Sequence, residues 1–357
     1  MKHQTTRYGE IPFYKIGTFG NTADAFISKK LFLEYKTKYS FPKKGDILIS
    51  ASGTIGRAVI YDGKPAYFQD SNIVWIDNDE TLVKNDFLFY AYSNVKWNTE
   101  HTTILRLYND NFRNTLIPLP PLNEQSAIAN ILSALDRYLY ALDALILKKE
   151  GVKKALSFEL LSQRKRLKGF NQTWQRVRLG DIANYLTSNL SAEQITQQGK
   201  IKVYDVNNFI GYTDTTFISD KPYISIVKDG SVGRVRILPP KTNILSTMGA
   251  LIANHRTTTE FLFYLLSNFD FKNFTSGSII PHIYFKDYKE KTIFLPPLNE
   301  QSAIANILSG LDHEIISLKN KKRQFDNIKK ALNHDLMSAK IRVLEKSAFH
   351  RNDHFKP

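Results

Sequence analysis

The chain has 357 residues, of which 49 are Lys or Arg and 34 are Asp or Glu, so its formal charge is +15. That length fits two domains better than one, and a composition that is 42% hydrophobic and 23% charged excludes a disordered chain. The chain has no cysteine, which excludes disulfides, cysteine nucleophiles and cysteine-ligated metals and fits a reducing compartment.

Residues 1–117 are predicted to form a β-rich domain. Their N-terminus lacks the apolar run of a secretory signal, and the chain nowhere has the ~18 uncharged apolar residues of a membrane span. Runs rich in β-branched residues predict strands at residues 45–50, 58–61 and 72–76. A Phe-Leu-Phe-Tyr run at residues 87–90 predicts a helix.

Residues 118–168 are predicted to form a spacer helix of about 40 residues. Prolines stiffen its start, Asn123 is placed to cap the first turn, and Glu124 suits the positive end of the helix. The apolar residues that follow have the 4-3-4-3 spacing of a coiled-coil seam; they are Ile128, Leu132, Leu135, Leu139, Leu142 and Ile146. Such a helix cannot bury its stripe alone. A basic segment near residues 164–174 is predicted to end the helix and act as a linker.

The second half of the chain repeats the first. Residues 119–136 read LPPLNEQSAIANILSALD and residues 295–312 read LPPLNEQSAIANILSGLD, so 17 of 18 positions match. Phe-Leu-Phe-Tyr recurs at residues 261–264, and Lys-Lys-Ala-Leu occurs at residues 153–156 and 329–332. The second seam consists of Ile304, Leu308, Leu311, Ile315, Leu318 and Phe325, after a capping Asn299. Gly151 and Lys322 interrupt the two seams.

The repeat predicts the whole organisation. A second β-rich domain is expected at residues 169–294, with strands at 223–226 and 235–238, followed by a second spacer helix at 295–346 and a disordered tail at 347–357. We therefore predict an α+β fold, in which two β-rich domains are separated by two long antiparallel coiled-coil helices and the halves are related as a pseudo-twofold internal repeat.

A Gly-x-x-Gly-Arg loop occurs once in each β-rich part. The basic excess in every part of the chain favours a polyanionic partner, nucleic acid first, although a solvated Lys-rich surface is the alternative. Glycines let the backbone approach a phosphate, and arginine can form a fork with phosphate or guanine; the alternative is a plain β-turn. The candidate contact residues are Lys43, Lys44, Ser52, Gly53, Thr54, Gly56 and Arg57 in the first copy, and Lys228, Gly230, Ser231, Gly233 and Arg234 in the second.

A second candidate segment precedes each Pro-Pro start. It offers short polar and aromatic side chains that suit contacts with base edges and backbone, and a capped loop is the alternative. These residues are Thr102, Thr103, Arg106 and Tyr108 in the first copy, and Ser276, Ser278, His282 and Tyr284 in the second. The sequence has no methyltransferase, dinucleotide or P-loop motif and no helically spaced histidine pair, so we expect no catalytic residue, metal or cofactor in this chain.

The repeated order of Gly loop, Phe-Leu-Phe-Tyr, Leu-Pro-Pro-Leu-Asn-Glu-Gln and long helix closely resembles the DNA specificity subunit of type I restriction–modification systems. The resemblance covers roughly residues 8–345, and the segment from Trp174 to Leu179-Gly180-Asp181 resembles the usual opening of a target recognition domain in that family. It implies a non-catalytic cytoplasmic subunit, bacterial or archaeal, in which each β-rich part reads one half of a bipartite site in double-stranded DNA.

The resemblance also implies partners. The paired helices would set the gap between half-sites and dock two methyltransferase subunits, which methylate adenine with S-adenosylmethionine, together with restriction subunits that use ATP and Mg²⁺. Two alternatives stay open, a stand-alone DNA-modifying enzyme and a coiled-coil interaction protein without a DNA role.

One feature departs from the pattern: only ten residues precede Ile11, so the first copy has no counterpart of the Trp174 opening. Either the true start lies upstream or the first domain lacks an edge element.

Overall fold

The computed structural model describes residues 4–68, 72–97 and 106–344. The chain divides into two compact units. Unit 1 consists of residues 1–143 and 321–357, and unit 2 consists of residues 144–320. Both divisions fall inside long helices, so each unit combines one β-rich part with a segment of each helix.

Unit 1 contains two three-stranded sheets. Its elements are β1 (Ile11–Tyr14), β2 (Ala25–Ile27), α1 (Lys29–Lys38), β3 (Ile47–Ser50), β4 (Ala58–Ile60), β5 (Tyr67–Phe68), β6 (Ile73–Trp75), α2 (Asn85–Tyr92), α3 (Asn109–Arg113) and the first part of α4 (Leu122–Leu161). The strand orders are β2-β1-β5 and β4-β3-β6. The predicted strands at 45–50, 58–61 and 72–76 are confirmed as β3, β4 and β6, and α2 covers the Phe-Leu-Phe-Tyr run.

Unit 2 contains the same frame with additions. Its elements are β7 (Gln175–Arg178), β8 (Ala183–Thr187), β9 (Ile201–Tyr204), β10 (Phe209–Thr213), β11 (Tyr223–Val227), β12 (Val235–Leu238), β13 (Asn243–Ile244), β14 (Met248–Ala253), α5 (Thr259–Ser267), β15 (Thr275–Ser276), β16 (His282–Ile283), α6 (Phe285–Tyr288), β17 (Thr292–Leu295) and the first part of α7 (Leu298–Met337). Short 3₁₀ turns lie at Leu179–Asp181, Ala192–Gln194 and Lys272–Phe274. The sheets are β10-β9-β13 and β12-β11-β14-β8, with ribbons β15-β16 and β17-β7.

The central strand of each unit is buried on both faces. Successive side chains of a strand point to opposite faces, so Ile47 and Ile49 of β3 pack with Leu88 of α2, whereas Leu48 packs with Phe19 on the other side. This explains why β3, and β11 in unit 2, are almost continuously apolar instead of alternating. Because β3 and β11 are fixed in their cores, the loops that follow them have defined positions.

The two long helices pair antiparallel within each unit. In unit 2, Lys149 bonds Glu314 and Lys153 bonds Asp312, at 2.7 and 2.5 Å, so the partner number falls as the first number rises. In unit 1 the same sense is seen for Asp136 with Lys329 and for Asp143 with Lys322. Each helix has 40 residues, as predicted, and continues through the interrupting residues of its seam. Most predicted seam residues are buried; Leu135, Leu311, Leu318 and Phe325 are partly buried.

A Tyr–Asp–Lys triad joins the β-rich part of each unit to both helices. In unit 2, the Tyr264 hydroxyl of α5 donates to Asp312 Oδ2 at 2.8 Å, and Lys153 bonds the other carboxylate oxygen while its Nζ lies 5.7 Å from the Tyr264 ring centre. In unit 1, Tyr90 donates to Asp136 at 2.8 Å, and Lys329 completes the set. Burial, and then the bond to the carboxylate, raise the pKa of both tyrosines, so both hydroxyls remain donors.

The Glu-Gln pair of the repeated motif is buried and fully engaged. Gln301 donates to the carbonyls of Pro296 and Arg256 and accepts from the N–H of Thr258, the residue that caps α5. Glu300 receives two bonds from Arg166 and one from Trp174 Nε1. In unit 1, Gln125 and Glu124 occupy the equivalent places; Gln125 bonds Leu82, Lys84 and Pro120, and Glu124 bonds Arg342. Packing therefore dictates these two motif residues in both copies.

The expected caps were wrong. Each long helix begins one residue before the asparagine, so Pro121 and Pro297 supply the first carbonyl acceptors, to Gln125 N and Gln301 N. Asn123 and Asn299 lie inside the first turn, where each side chain accepts from the N–H of the following glutamate.

The described part of unit 1 has fewer edge strands than unit 2. In unit 2, β7 pairs with β17, and β8 pairs with β14. Within the described ranges, unit 1 has no strand beside β6 other than β3, and no strand at residues 116–119, which align with β17. As a result Leu119 is 59% exposed, while Leu295, the same residue of the same motif, is 4% exposed. Both explanations for the short first copy, a start that lies upstream or a missing edge element, stay open. The predicted tail at 347–357 lies outside the described residues.

Candidate nucleic-acid interface

Both Gly-x-x-Gly-Arg loops adopt one conformation. The loop between β3 and β4 is closed by bonds from Ser50 N to Arg57 O and from Gly56 N to Ser50 O, both 2.9 Å. The loop between β11 and β12 has the matching bonds, from Val227 N to Arg234 O at 3.0 Å and from Gly233 N to Val227 O at 2.9 Å. All four glycines of the motif have φ between 68° and 83°. These values need glycine, so the repeated motif encodes a repeated backbone shape.

The two glycines of each loop have different surroundings. A β-carbon at Gly56 would lie 2.2 Å from Trp97 Nε1, and one at Gly233 would lie 2.6 Å from Phe271 Cδ2, so the second glycine allows the loop to pack on an aromatic ring. The first glycine is open at Gly230, where nothing lies within 4 Å. Backbone φ thus accounts for both glycines of each pair, and the close aromatic ring is a second reason for glycine at Gly56 and Gly233. Phosphate contact stays a prediction for the first glycine of each pair, which is exposed in both copies.

Each loop arginine holds its loop against a neighbouring segment. Arg57 Nη1 donates to the Phe19 carbonyl at 3.0 Å, and Arg234 Nη2 donates to Asn207 Oδ1 at 2.9 Å. A guanidinium has five N–H donors, so one such bond orients the group and leaves donors for an anion. Both arginines are exposed, as are Thr54 and Ser231.

The structure brings the two candidate segments of each copy together. In unit 1, Ser52 and Arg106 form a β-bridge, and Leu107 N donates to Ala51 O at 2.8 Å. We name the joined surface, residues 51–57 with 106–108, patch 1. In unit 2, Asp229 and His282 form the matching bridge. Patch 2 comprises residues 228–234 with 275–286. Segments some 50 residues apart in sequence thus form one exposed surface in each unit.

Patch 2 presents a row of stacked and charged side chains. The His282 ring stacks on Tyr284 at 6.4 Å, and Lys286 Nζ lies 5.5 Å from the Tyr284 ring centre. His282 Nδ1 lies 2.6 Å from Asp229 Oδ1, which orients the imidazole. Burial, and then the Asp229 carboxylate, raise the pKa of Tyr185 beneath the patch. In patch 1 the Arg106 guanidinium lies 5.9 Å from the Tyr108 ring centre.

Two predicted lysines are not part of the patches, and one predicted serine of patch 1 turns away from its surface. Lys43 and Lys44 were expected beside the first Gly loop, but they precede β3 and the loop follows it, about 13 Å along the strand. Lys43 instead bonds Asp77 at 3.2 Å. Ser52 is buried and its hydroxyl donates to Asn72 Oδ1, because it turns inward at the end of the strand. Lys228, by contrast, adjoins the loop as predicted, and Ser276 and Ser278 are exposed in patch 2. Thr102 and Thr103 lie outside the described residues.

Sequence reasoning missed Asp229 and Lys286. Asp229 lies beside a predicted basic residue, and only the bridge to His282 shows that it shapes the patch. Lys286 is two residues beyond Tyr284. Because a helix begins at Phe285, Lys286 Nζ comes within 5.5 Å of the Tyr284 ring centre. In the segments that the structure describes, no group of three His, Asp or Glu side chains is arranged to hold a metal ion. No described helix has the length and apolarity to cross a bilayer.

Together, the fold and the patches give the chain two related but non-identical exposed surfaces, one in each unit. A family model described as the type I restriction modification DNA specificity domain matches residues 1–149 and 171–325. The chain therefore belongs to the family of type I restriction–modification DNA specificity subunits.

Individual relatives agree with this assignment. The chain is 65% identical over 133 residues to the putative type I restriction enzyme specificity subunit S.HindORF215P of Haemophilus influenzae, a match that covers 37% of this chain and 34% of that protein. It is 28% identical over 336 residues to the putative type I restriction enzyme MjaX specificity subunit of Methanocaldococcus jannaschii, a match that covers 84% of this chain and 79% of that protein. The crystal structure of a type I restriction-modification S subunit from M. genitalium is similar in fold, with 21% identity and a TM-score of 0.63. The match covers 94% of this chain and 91% of that one.

Proposed function

We propose that this chain is the non-catalytic, sequence-reading subunit of a type I restriction–modification complex and that it reads a bipartite site in double-stranded DNA. The observation that carries the proposal is the pair of patches. They share one backbone frame but offer different side chains, so each would read a different half-site. Such a pair suits an asymmetric split sequence rather than a palindrome.

The chemistry of the patches supports base and phosphate contacts. In patch 1, Arg57 and Arg106 are suited to phosphate or to the O6 and N7 of guanine. In patch 2, Arg234 has that role, and His282 and Tyr284 offer a donor and a flat ring. A formal charge of +15 adds attraction to the phosphate backbone that is independent of sequence and depends on salt. Phosphate contacts would position the chain, and base contacts would specify the site.

The helical repeat supports two identical partners. Packing explains why Glu and Gln recur in both copies, but it does not explain the exposed positions. Leu122 and Leu298 are 39% and 48% exposed, and Ile131 and Ile307 are both 38% exposed, yet each pair is identical. Exposed residues are free to diverge unless something contacts them. We propose that these faces dock two copies of an adenine methyltransferase, with S-adenosylmethionine, ATP and Mg²⁺ used by the methyltransferase and restriction partners.

The direct test is methylome sequencing of a host that carries this chain with its partner subunits. We expect N6-methyladenine in a split motif with a fixed gap. Arg106→Ala and His282→Ala form a matched pair, because the two residues occupy equivalent positions in patch 1 and patch 2. Each variant should relax one half of the motif and leave the other half unchanged.

Other outcomes would contradict the proposal. A continuous motif, or a variant that alters both halves equally, would refute one patch per half-site. Methylation of DNA by the purified chain alone would favour a stand-alone enzyme. Failure of the assembled complex to bind duplex DNA at moderate salt would favour an interaction protein without a DNA role.

A further inference from the structure

The tip of the β15–β16 hairpin exposes two adjacent isoleucines. Ile279 is 92% exposed and Ile280 is 55% exposed. A single exposed apolar side chain is ordinary on a protein surface. Here two of them lie side by side within patch 2, at its outermost turn, where polar and flexible residues normally occur. They have no role in the core of unit 2 and were not among the predicted contacts.

The tip is held firmly against the Gly loop. Gly230 N donates to Pro281 O, and Ile283 N donates to Lys228 O, both at 2.9 Å. Gly277 has a φ of 90°, and a β-carbon there would lie 2.3 Å from the Ile280 carbonyl oxygen, so only glycine allows this tight turn. The hairpin therefore presents its isoleucines in a defined place instead of on a loose loop.

Patch 2 combines the apolar pair with cationic and hydrogen-bonding groups. Lys228 and Arg234 belong to the adjoining loop, and His282, Tyr284 and Lys286 follow the tip in sequence. This combination matches the chemistry of proteins that insert an apolar side chain between base pairs while neighbouring cations hold the phosphates. Asp229 faces both Lys228 and His282, and Arg234 and Lys286 add further positive charge. A purely apolar partner surface would desolvate these groups at a cost, so the charge pattern favours a nucleic acid over an apolar protein face.

The first copy repeats the apolar position. When the repeat is aligned on Tyr108 and Tyr284, Ile104 matches Ile280, whereas Arg106 replaces His282. Ile104 lies outside the described residues, so this is a statement about sequence only. Side chains suited to reading bases differ between the copies while an isoleucine recurs, which indicates a task that does not depend on the sequence read.

We propose that Ile279 and Ile280 form an apolar wedge that enters a base step beside the half-site read by patch 2 and partly unstacks it. The proposal rests on the proposed function. An unstacked neighbour lowers the cost of extruding the target adenine, which the methyltransferase must do before it can act on the base. The specificity subunit would thereby assist base flipping as well as select the site.

The test uses the complex with methyltransferase on duplex DNA that carries the motif found by methylome sequencing. 2-Aminopurine replaces the base next to the target adenine of the patch 2 half-site, and its fluorescence rises on unstacking. The variant is Ile279→Ala with Ile280→Ala. The matched control is Ile316→Ala, because Ile316 is also 55% exposed but lies on α7. Ile279→Leu with Ile280→Leu keeps an apolar tip.

We expect the double alanine variant to lose most of the fluorescence rise and to methylate that half-site about tenfold more slowly, while the control and leucine variants behave as the parent. A mismatch at the step, which pre-empts the unstacking, should restore the rate of the alanine variant. Unchanged fluorescence and rate in the alanine variant would overturn the wedge, as would a defect that the mismatch does not rescue.

Failure of the wedge is distinguishable from failure of the proposed function. If the alanine variant methylates the same split motif at the parent rate, the wedge is wrong and the reading function stands. If the parent complex recognises no split motif, the function itself is wrong. Loss of methyltransferase from the variant complex in size-exclusion chromatography would assign the tip to protein docking and would also overturn the wedge.

Discussion

Leu119 and Leu295 occupy the same motif position, but Leu295 should contribute far more to the unfolding free energy of unit 2 than Leu119 does to that of unit 1. Leu295→Ala removes a side chain of β17 that is 4% exposed and belongs to the core of unit 2, and such truncations cost about 2–4 kcal/mol of unfolding free energy. Leu119 is 59% exposed, so Leu119→Ala removes less than half of a leucine's burial and should cost about 1 kcal/mol or less. The difference in cost follows from the pairing of β17 with β7 in unit 2, which has no counterpart in the described part of unit 1.

The assay is urea unfolding followed by hydrogen exchange, read on peptides from each unit separately. Leu122→Ala and Leu298→Ala are the matched controls, since both residues are exposed members of the same motif, and both should cost little. Equal losses for the alanine variants of Leu119 and Leu295 would show that Leu119 is covered. They would refute the inference that unit 1 has an open edge.

Three further perturbations test the patches, the triads and the motif glutamate. Arg57→Ala or Arg234→Ala should weaken binding of the complex to its target about tenfold, and unchanged affinity and sequence preference would remove the loop from the interface. Tyr264→Phe should lower the unfolding free energy of unit 2 by about 1 kcal/mol in urea unfolding, because the Asp312 carboxylate loses a hydrogen-bond donor. The control is Tyr140→Phe, at a residue that is 79% exposed. A loss no greater than that of the control would argue against the triad. Hydrogen bonds from Arg342 hold the pKa of Glu124 below its ordinary value, so their stabilisation is complete above about pH 4.3 and is lost as pH falls through the lowered pKa. Glu124→Gln should therefore flatten the acid limb of unit 1 stability, and an unchanged limb would contradict this.

Periodicity and repetition were sufficient to predict the frame. The seam predicted two 40-residue helices, and the β-branched runs predicted β3, β4, β6, β11 and β12, because burial dictates both patterns. The triads were present in the sequence as well. Tyr90, Asp136 and Lys329 each belong to a repeated motif, as do their counterparts in unit 2. Sequence alone could not show that three separate motifs meet at one carboxylate, since this depends on antiparallel pairing.

The candidate site was only partly predictable. The recurrence of the loop glycines and arginines in both copies identified them as candidates. Recurrence did not show whether each residue is kept for packing or for contact with DNA. Gly56 and Gly233 recur because aromatic rings occupy the space of a β-carbon. Lys43 and Lys44 are close to the loop in sequence. In the structure, the length of β3 separates them from it. Ile279 gave no signal, because an apolar residue in a sequence is expected in a core until its exposure is known.

The most direct test of the central claim changes the helices and leaves both patches intact. Deleting residues 141–147 and 318–324 removes facing segments of about 10 Å each from the antiparallel pair. Methylome sequencing of a host with this variant and its partners should give both original half-sites separated by a gap about three base pairs shorter. An unchanged gap, or a motif whose half-sites have altered, would contradict two readers held apart by paired helices.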